Sequence, residues 1–255
     1  MKAPIATEST MKPLSNRVAL VTGASRGIGH AAARALAQAG AHIVAVARTV
    51  GGLEELDDAI RAEGGGATLV PLDLKDFDGI DRLALALKER YGRLDILIGN
   101  AGVLGPLSPL DHVPPQDFDE VIAVNVTANF RLIRAFADLL KASDAGRVVF
   151  VTSGVASLGL AYWGPYAVSK AALEVLARTF AAETATTAVR VNVIGPGPIR
   201  TRMLATAMPG LDPASVDPPE AVAEKIVALC LPAMTETGKY YDYRAAKFLE
   251  FRRPG

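Results

Sequence analysis

Tyr166 and Lys170 stand four residues apart, so on a helix they share one face. A free phenol titrates near pH ~10, too high to exchange protons readily at neutral pH, and an adjacent ammonium favours the phenolate. A phenol and an ammonium at this spacing are therefore equipped to move a proton, although a helix Tyr packed on an aliphatic Lys stem would read the same way. Thirteen residues before Tyr166, Ser153 follows the apolar run Arg147–Thr152, which places its hydroxyl at the end of a strand. There it could donate to an oxygen on which charge develops, or cap local backbone, and Thr152 and Ser157 compete for the role. Asn125 lies among Val121, Val124 and Val126, where a helix interior does not otherwise reward an amide.

A second group sits near the N-terminus. The strand-like run Arg17–Thr22 leads into Thr22-Gly23-Ala24-Ser25-Arg26-Gly27-Ile28-Gly29, followed by an Ala-rich helical stretch. Glycines there let the chain turn sharply and approach a pyrophosphate, while the free N–H groups of the next helix face the anion. An ordinary Gly-rich turn between strand and helix is the competing reading. The strand–turn–helix context favours a nucleotide.

The elements that must position these groups alternate along the chain. Strands are expected at Arg17–Thr22, His42–Ala47, Thr68–Leu72, Leu94–Gly99, Arg147–Thr152 and Val189–Ile194, with a terminal one at Lys239–Tyr243. Helices are expected at Ile28–Ala39, Leu53–Glu63, Ile80–Tyr91, Pro115–Lys141, Tyr166–Glu183 and Glu220–Leu229. Near-continuously apolar strands separated by helices imply an α/β fold, a mostly parallel, doubly wound, Rossmann-like sheet covered on both faces. With 255 residues, half of them apolar, the chain reads as a flexible tail over residues 1–14 and a single domain over 15–255. Equal numbers of basic and acidic residues, 27 each, give no field for nucleic acid. A single Cys230 and three separated histidines argue against disulfides and metal, and fit a cytoplasmic protein. The charge-free run Val148–Ser169 is long enough to cross a bilayer, but its glycines, proline and hydroxyls read better as a strand and a loop.

Taken in order, these motifs resemble the short-chain dehydrogenase/reductase family in its compact, single-domain branch. Its wider glycine motif, Gly-x-x-x-Gly-x-Gly, stands at Gly23, Gly27 and Gly29. Asp73-Leu74 follows strand three and Asn100-Ala101-Gly102 follows strand four. Asn125, Ser153, Tyr166-Ala-Val-Ser-Lys170 and the stretch from Asn192 through Pro196 and Gly197 to Thr201 complete the set. The resemblance spans about Arg17 to Thr201. It implies Tyr166 as general acid/base and Lys170 as the cation that lowers its pKa and binds nicotinamide ribose hydroxyls. It also implies Ser153 as donor to the substrate oxygen, and Asn125 as holder of a relay water. Two departures stand out: Gly99 replaces a frequent Asn, which should loosen the local backbone, and Thr237–Tyr243 replaces a frequent Asp-Gly-Gly turn.

By the same resemblance the coenzyme would contact Gly23, Ser25, Arg26, Gly27, Ile28 and Gly29, with Asp73 and Leu74 beside the adenine. Asn100, Ala101 and Gly102 would line the adenosine side, and Ile199 and Thr201 the carboxamide end. Relatives that prefer NAD carry an acidic residue at the end of strand two, where this chain has Ala47 followed by Arg48. Arg48 and Arg26 suit a 2′-phosphate, so NADP(H) is expected over NAD(H). The loop from Arg202 to Pro218 should cover the cleft. Met203, Leu204, Met208, Leu158, Leu160, Tyr162 and Trp163 could wall a pocket for an apolar ketone, aldehyde or secondary alcohol. Outward-looking residues on two helices (Ala128, Phe130, Ala135, Ala172, Val175, Phe180) match the surfaces that pair relatives into homodimers or homotetramers. The rival to an enzyme is a non-catalytic NADP-binding regulator, against which the presence of Ser153, Tyr166 and Lys170 speaks.

Overall fold

The computed structural model describes residues 12–251. Along the chain it places β1 (Val18–Thr22), α1 (Gly27–Gln38), β2 (His42–Ala47), α2 (Val50–Ala62), β3 (Ala67–Pro71), α3 (Phe77–Tyr91) and β4 (Ile96–Gly99). Then come α4 (Pro115–Ile122), a π-helical turn (Ala123–Thr127), α5 (Ala128–Lys141), β5 (Arg147–Val151), α6 (Val155–Leu158), α7 (Gly164–Glu183) and β6 (Arg190–Gly195). The chain continues through α8 (Arg202–Ala207), α9 (Pro219–Cys230), β7 (Tyr240–Asp242) and β8 (Lys247–Leu249). The strands form one sheet in the order β3-β2-β1-β4-β5-β6-β7-β8, parallel except for the antiparallel pair β7–β8. The expected doubly wound α/β architecture is present, and its order reverses between β1 and β4, where such sheets open a crevice for a ligand.

Period-two alternation sends each strand's side chains to two cores. Ala19 and Val21 of β1 face a core built with Leu36 of α1, Leu56 of α2 and Ile226 of α9. Val18 and Leu20 face a second core with Ile80 of α3, Phe136 of α5 and Leu173 of α7. Two residues read as outward-looking belong to this second core: Ala128 is fully buried and Phe180 is 4% exposed, because each lies on the helix stripe that meets the sheet. Phe130 and Val175 of the same helices are exposed.

Several boundaries depart from the sequence pattern, each for a local reason. Leu14, placed in the tail, is fully buried and its N–H donates to the Ala39 carbonyl, so the folded chain begins before residue 15. The rest of that expected tail, residues 1–11, lies outside the described residues. Helix α2 starts at Val50, taking Gly51 and Gly52 into its first turn. A Cβ on Gly52 would stand 2.8 Å from the Ser25 carbonyl of the glycine loop, so only a glycine lets the two segments meet. Helix α7 likewise starts two residues early, with Pro165 in its first turn where a missing N–H is harmless. The stretch read as one helix over Pro115–Lys141 is interrupted by the π turn around Asn125, and β8 pairs with β7 across a turn the sequence did not reveal.

Gly99 does not loosen its surroundings. It is buried in β4 directly opposite Phe150 of β5, whose ring fills the space a side chain would need. At the other departure, Thr237 Oγ1 accepts from the Val191 N–H (3.0 Å), and the Asn192 amide donates to the Glu236 carbonyl (2.8 Å). These bonds bring β7 against β6 without the usual turn.

Candidate active site

At the end of β1, Thr22 is fully buried, and its hydroxyl accepts from the backbone N–H groups of Asn100 (3.0 Å) and Ala101 (3.1 Å) while donating to the Ile98 carbonyl. The Asn100 amide donates to the Thr22 carbonyl at 2.9 Å. Thus the segment after β4 is laced to the glycine loop across the switch in strand order. A Cβ on Gly23 would lie 2.8 Å from the Asn100 amide, and one on Gly29 would collide with the Gly23 carbonyl. These two positions require glycine. The sequence singled out Asn100 as a lining residue; its side chain is a strut, and Thr22, its partner, was not singled out at all.

Helix α1 opens with an anion-receptive end. Its N-cap, Arg26, has extended backbone and no side-chain cap, and no acidic residue occupies the first turn. The first N–H groups are thus left for a phosphate, in the geometry that helix N-termini offer. Ser25 and Ile28 flank the turn, and Thr201 approaches it from across the cleft, 3.4 Å from where a Cβ on Gly27 would sit. Ile199 is 3% exposed and anchored by a bridge to Asp217, which fixes the segment leading to Thr201. Arg26 and Arg48 are both exposed, and the nearest approach of Arg48 to a carboxylate is 4.0 Å, to Asp73. Asp73 accepts from the Lys75 N–H, and Leu74 is largely buried in the core beneath α3.

Tyr166 and Lys170 come from α7. Lys170 is 3% exposed, and its ammonium donates to the Val151 carbonyl at the end of β5 (2.8 Å) and lies 5.5 Å from the Tyr166 ring centre. Burial pushes its pKa down to about 8, against a raising influence from Glu174. Tyr166 is 9% exposed, and burial pushes its phenol up to about 12. This reverses the expected direction: desolvation of the buried ring sets the shift, so Tyr166 holds its proton through the neutral range. Ser153 follows Val151 by two residues, and its hydroxyl makes only a long contact of 3.5 Å with the Val155 N–H.

Asn125 sits in the π turn, closed by the bond from the Ala128 N–H to the Ala123 carbonyl. Both N–H donors of its amide are taken by protein, and its oxygen accepts one bond. The oxygen accepts from the Val103 N–H, and the nitrogen donates to the Val103 carbonyl and to Ser169 Oγ, each at 2.9 Å. A Cβ on Gly102 would lie 3.2 Å from that oxygen and 3.6 Å from the Lys170 ammonium, so Gly102, Asn125 and Lys170 converge on one point. Ala101 and Gly102 form the floor between them and the glycine loop. π turns recur at functional sites because the extra residue re-aims a side chain. Ser169, one residue before Lys170, escaped the sequence reading; its bond to Asn125 ties α7 to the loop after β4.

Of the residues expected to wall a substrate pocket, Leu158, Leu160, Tyr162 and Met208 are exposed, while Met203, Leu204 and Trp163 are half-buried. The Trp163 and Tyr166 rings lie 6.2 Å apart, and Tyr162 adopts φ 73° while its carbonyl accepts from the Ser108 N–H. Among the described residues no helix is long and apolar enough to cross a membrane, and no group of His, Cys, Asp and Glu is arranged to hold a metal ion.

The short chain dehydrogenase profile matches residues 17–211, and the chain belongs to the short-chain dehydrogenase/reductase family of oxidoreductases. It is 39% identical over 209 residues to the uncharacterized oxidoreductase YciK of Escherichia coli K12, covering 81% of this chain and 82% of that protein. It is 33% identical over 187 residues to the 3-oxoacyl-[acyl-carrier-protein] reductase FabG of the same organism, covering 73% and 75%. A crystal structure of a short-chain dehydrogenase from Shigella flexneri complexed with NADP superposes with a TM-score of 0.88 at 36% identity, over 92% of this chain and 99% of that one.

Proposed function

We propose that this protein is an NADP-dependent oxidoreductase that interconverts an apolar carbonyl compound and its alcohol, with Tyr166 as general acid/base. The observation that carries the reading is the convergence of Lys170, Asn125 and Gly102 beside the Tyr166 phenol. When bound, NADPH supplies the hydride to the carbonyl carbon. The uncapped end of α1 and the glycine turn would hold its diphosphate, Lys170 its ribose hydroxyls, and Ile199 and Thr201 its carboxamide end. Tyr166 Oη gives its proton to the substrate oxygen as the carbonyl becomes an alcohol, and Ser153 Oγ donates a hydrogen bond to that oxygen. The Lys170 ammonium stabilises the phenolate left behind. Asn125 positions: it clamps the floor at Val103 to α7 through Ser169. The raised phenol pKa suits an acid that must begin the reductive step protonated.

Arg26 and Arg48, both exposed and with only a 4.0 Å approach of Arg48 to Asp73 among the described residues, support a 2′-phosphate and hence NADP(H) over NAD(H). The NADP-bound relative from Shigella flexneri supports the same choice. The apolar residues expected to wall a pocket support a hydrophobic substrate, and the exposed residues of α5 and α7 support a homodimer or homotetramer. The neutral charge supports neither nucleic acid nor membrane as partner, and the lone buried Cys230 fits the cytoplasm. The test is NADPH and NADH oxidation over a panel of ketones and aldehydes, with Tyr166→Phe in parallel. Turnover with NADPH preferred, lost in Tyr166→Phe while NADPH still binds, is the expected result. Coenzyme binding with no turnover on any compound favours the regulator instead.

A further inference from the structure

Glu174 follows Lys170 on α7 by four residues, as Lys170 follows Tyr166, so the three polar groups form one stripe along the helix. Glu174 Oε1 accepts a hydrogen bond from Thr152 Oγ1 at 2.7 Å, and Thr152 is 2% exposed. Thr152 stands between Val151, whose carbonyl receives the Lys170 ammonium, and Ser153, and its own N–H is bound to the Ile194 carbonyl of β6. Two successive residues at the end of β5 are therefore fastened to α7, one through Lys170 and one through Glu174, and the third is Ser153. The groups facing Glu174 are Lys170 and Arg178 from its own helix, Thr152 from β5 and the Tyr240 phenol from β7. Of these, Arg178 is half-buried, its guanidinium 4.5 Å from the Phe251 ring centre, and it too favours the charged form of Glu174.

Resting on the assignment of Tyr166 and Lys170 above, we propose that Glu174 is a positioning residue of the reaction. Through Thr152 it holds the end of β5 so that Ser153 stays in register with Tyr166, and its negative charge keeps Lys170 an ammonium. Burial disfavours both ions; the Thr152 hydrogen bond first, then Arg178 and Lys170, favour the Glu174 carboxylate, which in turn favours the Lys170 ammonium.

The decisive measurement needs neither coenzyme nor substrate. In protein carrying 13C-labelled lysine, the Lys170 Cε signal, identified by its absence from Lys170→Met, is titrated in the parent and in Glu174→Gln. The amide keeps an oxygen for Thr152 and removes the charge. The Lys170 midpoint is expected to fall by about one pH unit. An unmoved midpoint overturns the proposal. In kinetics, Thr152→Val should lower kcat about tenfold or more at every pH while leaving NADPH affinity near that of the parent, and Thr152→Ser should restore it. Parent-like kcat in Thr152→Val also overturns the proposal. A Tyr166→Phe enzyme that still turns over would sink the acid assignment instead, and the lysine titration would be unaffected by that outcome.

Discussion

Lys170 shows how far this site departs from what stability alone would select. Its ammonium is enclosed by protein, with the Val151 carbonyl as its hydrogen-bond partner, and its pKa falls from 10.5 to about 8. A shift of that size means that burying the charged form costs about 3 kcal/mol at neutral pH. Between pH 8 and 10.5 the unfolded chain holds this proton and the folded chain does not, so stability rises with pH across that window. Lys170→Met should abolish turnover, and because it removes this titration the parent should gain about 2 kcal/mol on the variant between pH 7 and pH 10. Urea unfolding of both proteins at the two pH values checks this, and a stability difference that does not change with pH contradicts it. The same titration sets a kinetic limit, since the ammonium is present below pH 8 and lost above it. The reductive kcat should decline above that pH, which a pH–rate profile at saturating NADPH will show. Tyr166 and Lys170 were legible as a pair because helical spacing is written in the sequence. The sign of the Tyr166 shift was not, because desolvation depends on what the fold stacks over the ring, including Trp163 from outside the helix.

At the scale of elements, β4 and β5 show what period and composition can convey. Both read as buried parallel strands, and both are, because an apolar run flanked by glycine or polar residues is a local property. The meaning of Gly99 is not local. It follows from Phe150 standing directly across the ladder, and nothing in either strand alone announces that pairing. The π turn escaped for a similar reason: one extra residue in a turn leaves the apolar spacing over Pro115–Lys141 nearly intact, while the Asn125 bonds that accompany it reach to Val103 and Ser169. Filling the Gly99 site tests the ladder reading. Gly99→Ala would place a methyl against the Phe150 ring and 2.7 Å from Asn129 Oδ1. Overpacking of this kind costs about 1–3 kcal/mol or more. Phe150→Val alone should also destabilise, by leaving a cavity. The double variant should be more stable than the two single losses added together, because each change relieves the other. Thermal unfolding of the four proteins measures the coupling, and strict additivity would show that Gly99 is held for another reason.

For the whole molecule, the sheet divides the core in two, and the two coverings end differently. On the side of α1, α2 and α9 the helices close over the sheet. On the other side, α5 and α7 bury Leu132, Phe136, Leu173 and Phe180 inward but turn Phe130, Val168 and Val175 outward, 48%, 46% and 51% exposed. Val168, Ala172 and Val175 recur at helical spacing, so the outward residues form a stripe rather than scattered points. The sequence could identify these helices as bearing two apolar faces. It could not say which residues belonged to which, and it set Ala128 and Phe180 on the wrong one. A self-complementary face beside a neighbouring helix is what a two-fold interface uses, since each residue then meets its counterpart across the axis. An arginine at the centre of the stripe would bring like charges together in that contact and leave an isolated chain nearly unaffected. Val175→Arg is accordingly expected to convert a dimer or tetramer into a monomer of 26.7 kDa, with a melting temperature that no longer depends on protein concentration. Sedimentation velocity across micromolar concentrations decides the matter: a parent protein that is already monomeric there, or a variant that assembles as the parent does, excludes this face as the interface.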